Sequence, residues 1–435
     1  MTTHRRDFLK TAGASAAAVA LTNMTGAESP NHRMVLGFIG PGGMGSHHLN
    51  HLVTRKDAVV AWVCDVDGER LAKAAKTVES ATGKAPQTTK DLRDILDKKE
   101  VDAVFIATPD HWHAPATILA CDAGKHVYVE KPCSHNLREG RLMIDAARRN
   151  KKVVQVGTQS RSTEHVRQAM ELLRNGAIGD VLVAKAWNSQ LRGSIGKRQP
   201  SEPPQHLDFD LWLGPAPLVQ YQSNMLHGIW RWWFDYGCGD IGNDGVHDID
   251  IARWGLGVAT HPSTIAALGG KYFFDDDQQW PDTQYIVYEY PGDGKIGHKK
   301  QLVFEQRIWS PYVQEGHENG NAFYGTKGML ILGKGSGWQL FGPRNKRVQK
   351  GTGSPNVPAH HQNFFDCIRD NKQPNADIEI GHLSAALCHL GNIATRTGRV
   401  IHFDPAKEQI IGDEEGNAMV RRKYREGHWA VPKGV

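Results

Sequence analysis

Cysteine is scarce in this chain and never grouped. The six residues, Cys64, Cys121, Cys133, Cys238, Cys367 and Cys388, form no CxxC pair and no Cys/His cluster at ligand spacing, which argues against a disulfide framework and against a metal site. Long apolar runs are missing too. Past residue 30 nothing approaches the roughly eighteen uninterrupted apolar residues that a membrane span needs, so no span is expected. Neither sign of charge dominates: 52 Lys and Arg against 47 Asp and Glu leave a net charge of +5, which gives no argument for a nucleic-acid partner. There is no internal repeat or low-complexity tract, and Gly193-Ser194-Ile195-Gly196-Lys197 lacks the spacing of a phosphate loop. What remains is a globular composition of 435 residues, enough for two well-buried cores.

The chain is organised around Met34 to Asp67. An apolar run, Met34 to Ile39, stops at Gly40-Pro41-Gly42-Gly43-Met44-Gly45, continues as a helix-compatible segment to about Arg55, and gives way to a second apolar run, Ala58 to Cys64. That order is strand, glycine turn, helix, strand. Gly40 permits the tight turn, Gly42 lets backbone N–H groups approach a pyrophosphate, and Gly45 lets the helix pack close to the strand. The phosphates then meet a helix N-terminus, where unpaired N–H groups and the dipole favour anions. Asp65, at the end of the second strand, is placed to accept hydrogen bonds from the adenosine ribose. A carboxylate there repels a 2′-phosphate, so the expected cofactor is NAD rather than NADP.

Repeated strand and helix units follow. Gly68 to Ala81 and Asp91 to Leu96 read as helices, Val101 to Ala107 as a buried strand ending in Thr108-Pro109-Asp110-His111-Trp112-His113, and Ala114 to Ala123 as a helix. Strand His126 to Val129 ends in Glu130-Lys131-Pro132; a helix from Leu137 to Arg149 and a strand from Lys152 to Val156 close the unit. Such repeats require a parallel sheet with right-handed crossovers, and ligands gather at the carboxyl ends of its strands.

The first thirty residues resemble a twin-arginine export signal: Arg5-Arg6-Asp7-Phe8-Leu9-Lys10, an Ala-rich stretch from Thr11 to Leu21, and small residues at Thr25-Gly26-Ala27. The resemblance implies the twin-arginine translocase as a partner during export and a periplasmic or otherwise exported location. That pathway moves folded proteins. A dinucleotide enzyme exported this way must fold around its NAD and hold it, then reset it in place.

The glycine turn, the segment Ala107 to His113 and Glu130-Lys131-Pro132, in this order and spacing, resemble the glucose-fructose oxidoreductase, inositol dehydrogenase and MocA (Gfo/Idh/MocA) family. The resemblance spans nearly the whole chain after the leader. It implies a Rossmann domain at 31–156 and an α+β domain at 157–435 with a large, mostly antiparallel open sheet for substrate binding and subunit pairing, as a homodimer or homotetramer. It places Lys131 beside the nicotinamide and the reacting hydroxyl. Gly40, Gly42, Gly43, Met44, Gly45, Asp65, Thr108, Pro109, Glu130 and Lys131 are then the expected cofactor contacts. His113 is either a further contact or a polar residue at a helix start.

In the second half, Val181 to Trp187, Ser263 to Ala267, Thr283 to Tyr290, Gln301 to Ile308 and Met329 to Leu332 read as strands, and Leu207 to Trp212 as a packed surface loop. The chemistry concentrates in two stretches, His227 to Tyr236 and Gly237 to Asp250. Trp230 can stack on a sugar face and Arg231 can bind its hydroxyls. His247 projects from the first turns of a helix read over Asp244 to Trp254, where the family carries a D-x-x-x-H motif whose histidine takes the proton of the substrate hydroxyl. This chain departs from it: Asn243 stands four residues before His247 and the aspartate is Asp244, three before. Asp244 is the expected orienting group with Asp240 its rival, and Asn243 is expected to bind substrate. Two helices, around His360 to Arg369 and Glu379 to Arg399, close the fold, with His360 able to reach the pocket.

The expected activity is oxidation of a secondary hydroxyl of a sugar, sugar derivative or cyclitol by tightly held, internally recycled NAD. The alternative is an NAD-dependent glycoside hydrolase that oxidises, eliminates, hydrates and reduces.

Overall fold

A computed structural model describes residues 33–310 and 312–435. The twin-arginine segment lies outside the described residues. Six parallel strands, β1 (Met34–Ile39), β2 (Ala58–Cys64), β3 (Gln87–Thr89), β4 (Ala103–Ile106), β5 (His126–Val129) and β6 (Val154–Val156), form the first sheet in the order β3-β2-β1-β4-β5-β6. Helices α1 (Gly43–Leu52), α2 (Gly68–Thr82), α3 (Leu92–Leu96), α4 (Asp110–Asp122) and α5 (Leu137–Arg149) connect them. The central strands are apolar throughout because both faces are covered, so Leu36, Phe38, Val104 and Phe105 are fully buried. Side-chain caps start α2 at Asp67 and α5 at Asn136, whereas α1 begins at Gly42 with no side-chain cap. Helix α4 starts at Asp110, immediately after Pro109 and four residues before the expected start, which puts His111 and His113 inside it.

The second half contains α6 (Glu164–Arg174), β7 (Val181–Asn188), α7 (Phe209–Leu213), α8 (Val246–Leu256), β8 (Thr264–Gly270), β9 (Thr283–Tyr290), β10 (Lys300–Arg307), β11 (Asn319–Gly325), β12 (Met329–Gly333), β13 (Gly337–Phe341), β14 (Arg347–Thr352), α9 (Val357–Asp370), α10 (Ile378–Thr397), β15 (Ile401–Asp404), β16 (Gln409–Ile410) and α11 (Glu414–Met419). Its ten strands order as β14-β13-β12-β11-β7-β10-β9-β8-β15-β16; β7 and β10 run parallel and every other neighbour antiparallel. Helices α8 and α10 cover one face, where Ile249, Ile286, Phe304 and Leu390 form the core.

Several elements differ from the reading of the residues. Strand β11 carries two asparagines and two glycines in seven residues, a poor strand composition, and exists because β7 and β12 pair with it on both sides. The helix expected from Asp244 is a π-helical turn, Ile241–Gly245, that leads into α8 at Val246. The expected loop at Leu207 to Trp212 holds the short helix α7, packed in an aromatic cluster with Tyr221 and Tyr236. Helix α9 returns to the first half: Phe364 and Phe365 pack beneath the parallel sheet with Leu36, Phe105 and Tyr128. Among the described residues no helix is long and apolar enough to cross a membrane.

Candidate functional site

Two adjoining cavities occupy the cleft at the carboxyl ends of the parallel strands. The first is lined by Gly40, Gly42, Gly43, Met44, Asp65, Thr108, Pro109, His113, Glu130 and Lys131. Its floor needs glycine. Gly40 has φ +78°, and a Cβ there would lie 2.9 Å from the Ala107 carbonyl; a Cβ on Gly45 would overlap the Gly40 carbonyl oxygen. Gly45 therefore sits behind the wall as the close-packing residue and does not line the cavity. The uncapped N–H groups of α1 open into this space.

Asp65 lines the same wall, with Oδ1 accepting from the Asp67 N–H at 3.0 Å. Burial pushes its carboxyl up to about 6. The Thr108 hydroxyl is buried without a partner. A glycine floor, an uncapped helix start, a carboxylate at the end of β2 and an orphaned hydroxyl together fit a dinucleotide. Arg70, which the residue pattern did not single out, lays its guanidinium over Gly42. His113 holds the wall in shape: Nδ1 lies 2.6 Å from the Pro132 carbonyl oxygen and Nε2 2.9 Å from that of Thr108.

Lys131 lines both cavities, and so do Met44, Glu130, Gly228 and Arg231. Its Nζ donates to the Asn243 carbonyl oxygen at 2.6 Å, and burial lowers the ammonium from its ordinary range. Glu130 is almost fully buried. Burial alone pushes its carboxyl up, but the hydrogen bond from His48 and the positive charge of Lys131 hold it below the ordinary carboxylate range. It accepts from His48 Nε2 at 2.8 Å and Gln159 Nε2 at 2.9 Å, and a Cβ on Gly157 would overlap it.

The second cavity adds Gln159, Gln190, Arg192, Trp232, Asn243, Asp244 and His247. No protein group hydrogen-bonds the His247 ring among the described residues. Burial, with the ammonium groups of Lys334 and Lys131, pushes its imidazole down to about 3, so it is a neutral base at neutral pH. Asn243 is locked, its Oδ1 accepting from Arg231 Nε at 2.6 Å and its Nδ2 donating to Asp240 at 2.9 Å.

Asp244 does not orient His247. Its carboxylate is taken by Lys334 at 3.1 Å, by Asn319 at 2.6 Å and by Gln190. Asp240 is no substitute: it accepts from Asn188 at 2.7 Å and from Asn243, and lies 3.1 Å from Arg192. The π-helical turn aims both carboxylates away from the imidazole, toward β7, β11 and the β12–β13 hairpin that carries Lys334. Trp230 lies on the wall of the first cavity and Trp232 faces the second, a reversal of the expected substrate contact. His360 does not reach either cavity: Nδ1 pairs with Ser162 at 2.7 Å and Nε2 with the Val156 carbonyl oxygen at 3.0 Å.

The first cavity is roofed by the second half of the chain. Trp212, His227, Trp230 and Trp429 line it, and His227 Nε2 lies 2.8 Å from Asp67 Oδ2 while the Gly68 N–H donates to the His206 carbonyl at 2.9 Å. No local pattern marks Lys334, Gln159 or Trp429, because each arrives from a distant part of the chain.

Comparison with known proteins agrees with this geometry. Residues 34–158 match the model of the Gfo/Idh/MocA oxidoreductase family described as an NAD-binding Rossmann fold, and residues 176–296 and 335–431 match that family's C-terminal alpha/beta domain. Residues 2–22 match the twin-arginine signal sequence. A glycosyl hydrolase family 109 protein of Shewanella pealeana is 29% identical over 209 residues, covering 43% of this chain and 46% of that protein, and one of Shewanella baltica is 28% identical over 207 residues, covering 42% and 45%. The chain thus spans about half the length of the curated relatives it matches. Among solved structures, levoglucosan dehydrogenase in complex with NADH and levoglucosan superposes with a TM-score of 0.65 at 20% identity, covering 85% of this chain and 99% of that one. Aldose-aldose oxidoreductase from Caulobacter crescentus gives 0.64 at 19%, covering 86% and 100%.

Proposed function

We propose, from the premise that the chain belongs to the Gfo/Idh/MocA family of NAD-binding oxidoreductases, that it oxidises a secondary hydroxyl of a sugar, sugar derivative or cyclitol to the carbonyl with NAD that stays bound and is recycled in place by reducing a carbonyl. One observation carries the reading: the dinucleotide-shaped cavity and the polar second cavity meet at Lys131, within reach of an unpartnered neutral imidazole, His247.

The glycine turn, Asp65 and Thr108 hold the cofactor, which when bound supplies a ring that takes and returns a hydride. Asp65 favours NAD over NADP by repelling a 2′-phosphate. His247 accepts the hydroxyl proton at a ring nitrogen. The Lys131 ammonium, anchored by the Asn243 carbonyl, donates to the reacting oxygen and steadies charge that develops on it. Gln159, Arg192, Arg231 and Trp232 surround the substrate. The roof made by His227, Trp230 and Trp429 keeps the cofactor in place through export. Leu268, Tyr285 and Tyr324, exposed on the outer sheet face, support pairing of two copies through that sheet.

The experiment is to isolate the exported protein, assay it for bound NAD(H), and mix it with levoglucosan, D-glucose and myo-inositol without added cofactor. A rise in NADH absorbance with at least one of them supports the reading, and none with a fully loaded protein contradicts it. The hydrolase relatives favour a second reading, in which oxidation at one sugar carbon acidifies its neighbour, the glycosidic group leaves, water adds and the carbonyl is reduced. Nitrophenol released from a nitrophenyl glycoside without added NAD would identify that activity.

A further inference from the structure

We propose that His48 and His361 form a buried proton relay joining Glu130, at the wall of the reaction cavity, to the protein surface beside His51. Its purpose rests on the oxidoreductase reading, since a roofed cavity that strips a hydroxyl of its proton must exchange that proton with solvent.

Three distant elements supply the relay. Glu130 Oε1, at the end of β5, lies 2.8 Å from His48 Nε2 on α1, and His48 Nδ1 lies 2.8 Å from His361 Nε2 on α9. Both imidazoles are fully buried. The partners dictate the protons. An ionised Glu130 only accepts, so His48 carries its hydrogen on Nε2; its Nδ1 is then the acceptor for a hydrogen on His361 Nε2. That leaves His361 Nδ1 with a bare lone pair, and this atom is buried without a partner. The half-buried ring of His51 sits 5.1 Å away centroid to centroid, and its Nε2 lacks a partner as well. The surroundings, Phe105 and Phe364 among them, are an apolar core in which hydrocarbon side chains would pack at no such cost.

The arrangement moves one proton with no net change in the charge of either ring; each ring's hydrogen ends on Nδ1, and the return transfer restores it to Nε2. A proton arriving at His361 Nδ1 releases the Nε2 hydrogen to His48 Nδ1, and His48 releases its Nε2 hydrogen to Glu130 Oε1; the outward direction is the reverse. The charged and titratable groups facing the pair are His51 on α1, Arg55 just past the end of that helix, His360 on α9, and Tyr128 on β5. Burial, with His48, His51, His360 and Arg55, holds His361 far below the ordinary histidine range, so a proton passes through it and does not rest there. The other side of Glu130 is the wall of the second cavity, which it shares with Lys131 and with His247, so the proton taken by His247 enters the relay across that cavity.

The test compares wild type with His361→Gln, which keeps an N–H for His48 but cannot pass a proton through, and His361→Ala, which leaves a space for free imidazole. Each protein is mixed, with its own NAD, with whichever of levoglucosan, D-glucose and myo-inositol reduces the wild type fastest. The relay predicts that NADH formation in His361→Gln falls about tenfold at pH 6, that the deficit shrinks toward pH 9, and that imidazole restores His361→Ala at least threefold, with NAD content and sugar KM unchanged. A loss equal at every pH, or no loss, overturns it. Histidine-labelled wild type read by nitrogen NMR gives a check independent of turnover: both rings neutral with the hydrogen on Nε2 is expected, and a His361 hydrogen on Nδ1 overturns the relay. If none of the three sugars reduces the NAD, the oxidoreductase reading fails while the NMR result still decides the relay.

Discussion

Lys131 is where the two cavities converge, and its ammonium has a backbone carbonyl, not a carboxylate, within hydrogen-bonding distance. Replacing it by methionine keeps the volume and removes the donor. Hydride transfer is expected to slow by about 10²- to 10⁴-fold, with NAD content unchanged, when followed by NADH absorbance. Asp65 gives a pH test. Burial raises its carboxyl to about 6, so the empty fold binds more protons than the unfolded chain between the ordinary aspartate range and that value, and its stability falls as pH rises through the window. Ribose hydroxyls need the ionised form, so NAD affinity should rise over the same window. Calorimetric titration at pH 5 and pH 7 checks this, and an affinity flat across that range would remove Asp65 from the ribose site. Asp65 was legible from spacing, a glycine turn at a strand end with an acid one strand later, whereas Lys131 was legible only through the family resemblance. Asp244 was misjudged as the partner of His247 because Lys334, the group that captures it, lies 90 residues away in the chain.

At the scale of elements, α1 starts hard against the turn that follows β1. Gly45→Ala would push a methyl group into the Gly40 carbonyl, which is backbone and cannot turn aside. A loss of about 1–3 kcal/mol and of bound NAD is expected, read by thermal melting and cofactor content. The β12–β13 hairpin supplies Lys334 to both Asp244 and Asp248, at 3.1 and 2.8 Å. Lys334→Met strands two carboxylates and should cost about 3 kcal/mol. It also removes a cation beside His247, so the imidazole should titrate closer to the ordinary histidine range, which NMR can follow. Strong apolar runs such as β1, β4 and β9 could be read directly. Strand β11 could not, since its pairing on both sides overrides its composition, and the π-helical turn before α8 could not, since it depends on the packing of Gly242 and Gly245 against Cys238 and Phe304.

At the scale of the molecule, the two-part architecture followed from motif order and from the change of pattern after the sixth strand. The return of α9 and the tail to the first half did not, because Phe364, Phe365 and Trp429 find their partners only in the folded chain. That return matters for the proposed function: it brings His361 to His48, whose other ring nitrogen meets Glu130, and Trp429 to the wall of the first cavity. Under the proposed function, export in the folded state and a roofed cavity make the same demand, a cofactor that arrives with the protein and is reset within it. The most direct measurement is mass spectrometry and absorbance of the exported, leader-processed protein as isolated, with no dinucleotide added at any step. The account predicts close to one NAD(H) per chain; protein that is folded but empty would contradict it.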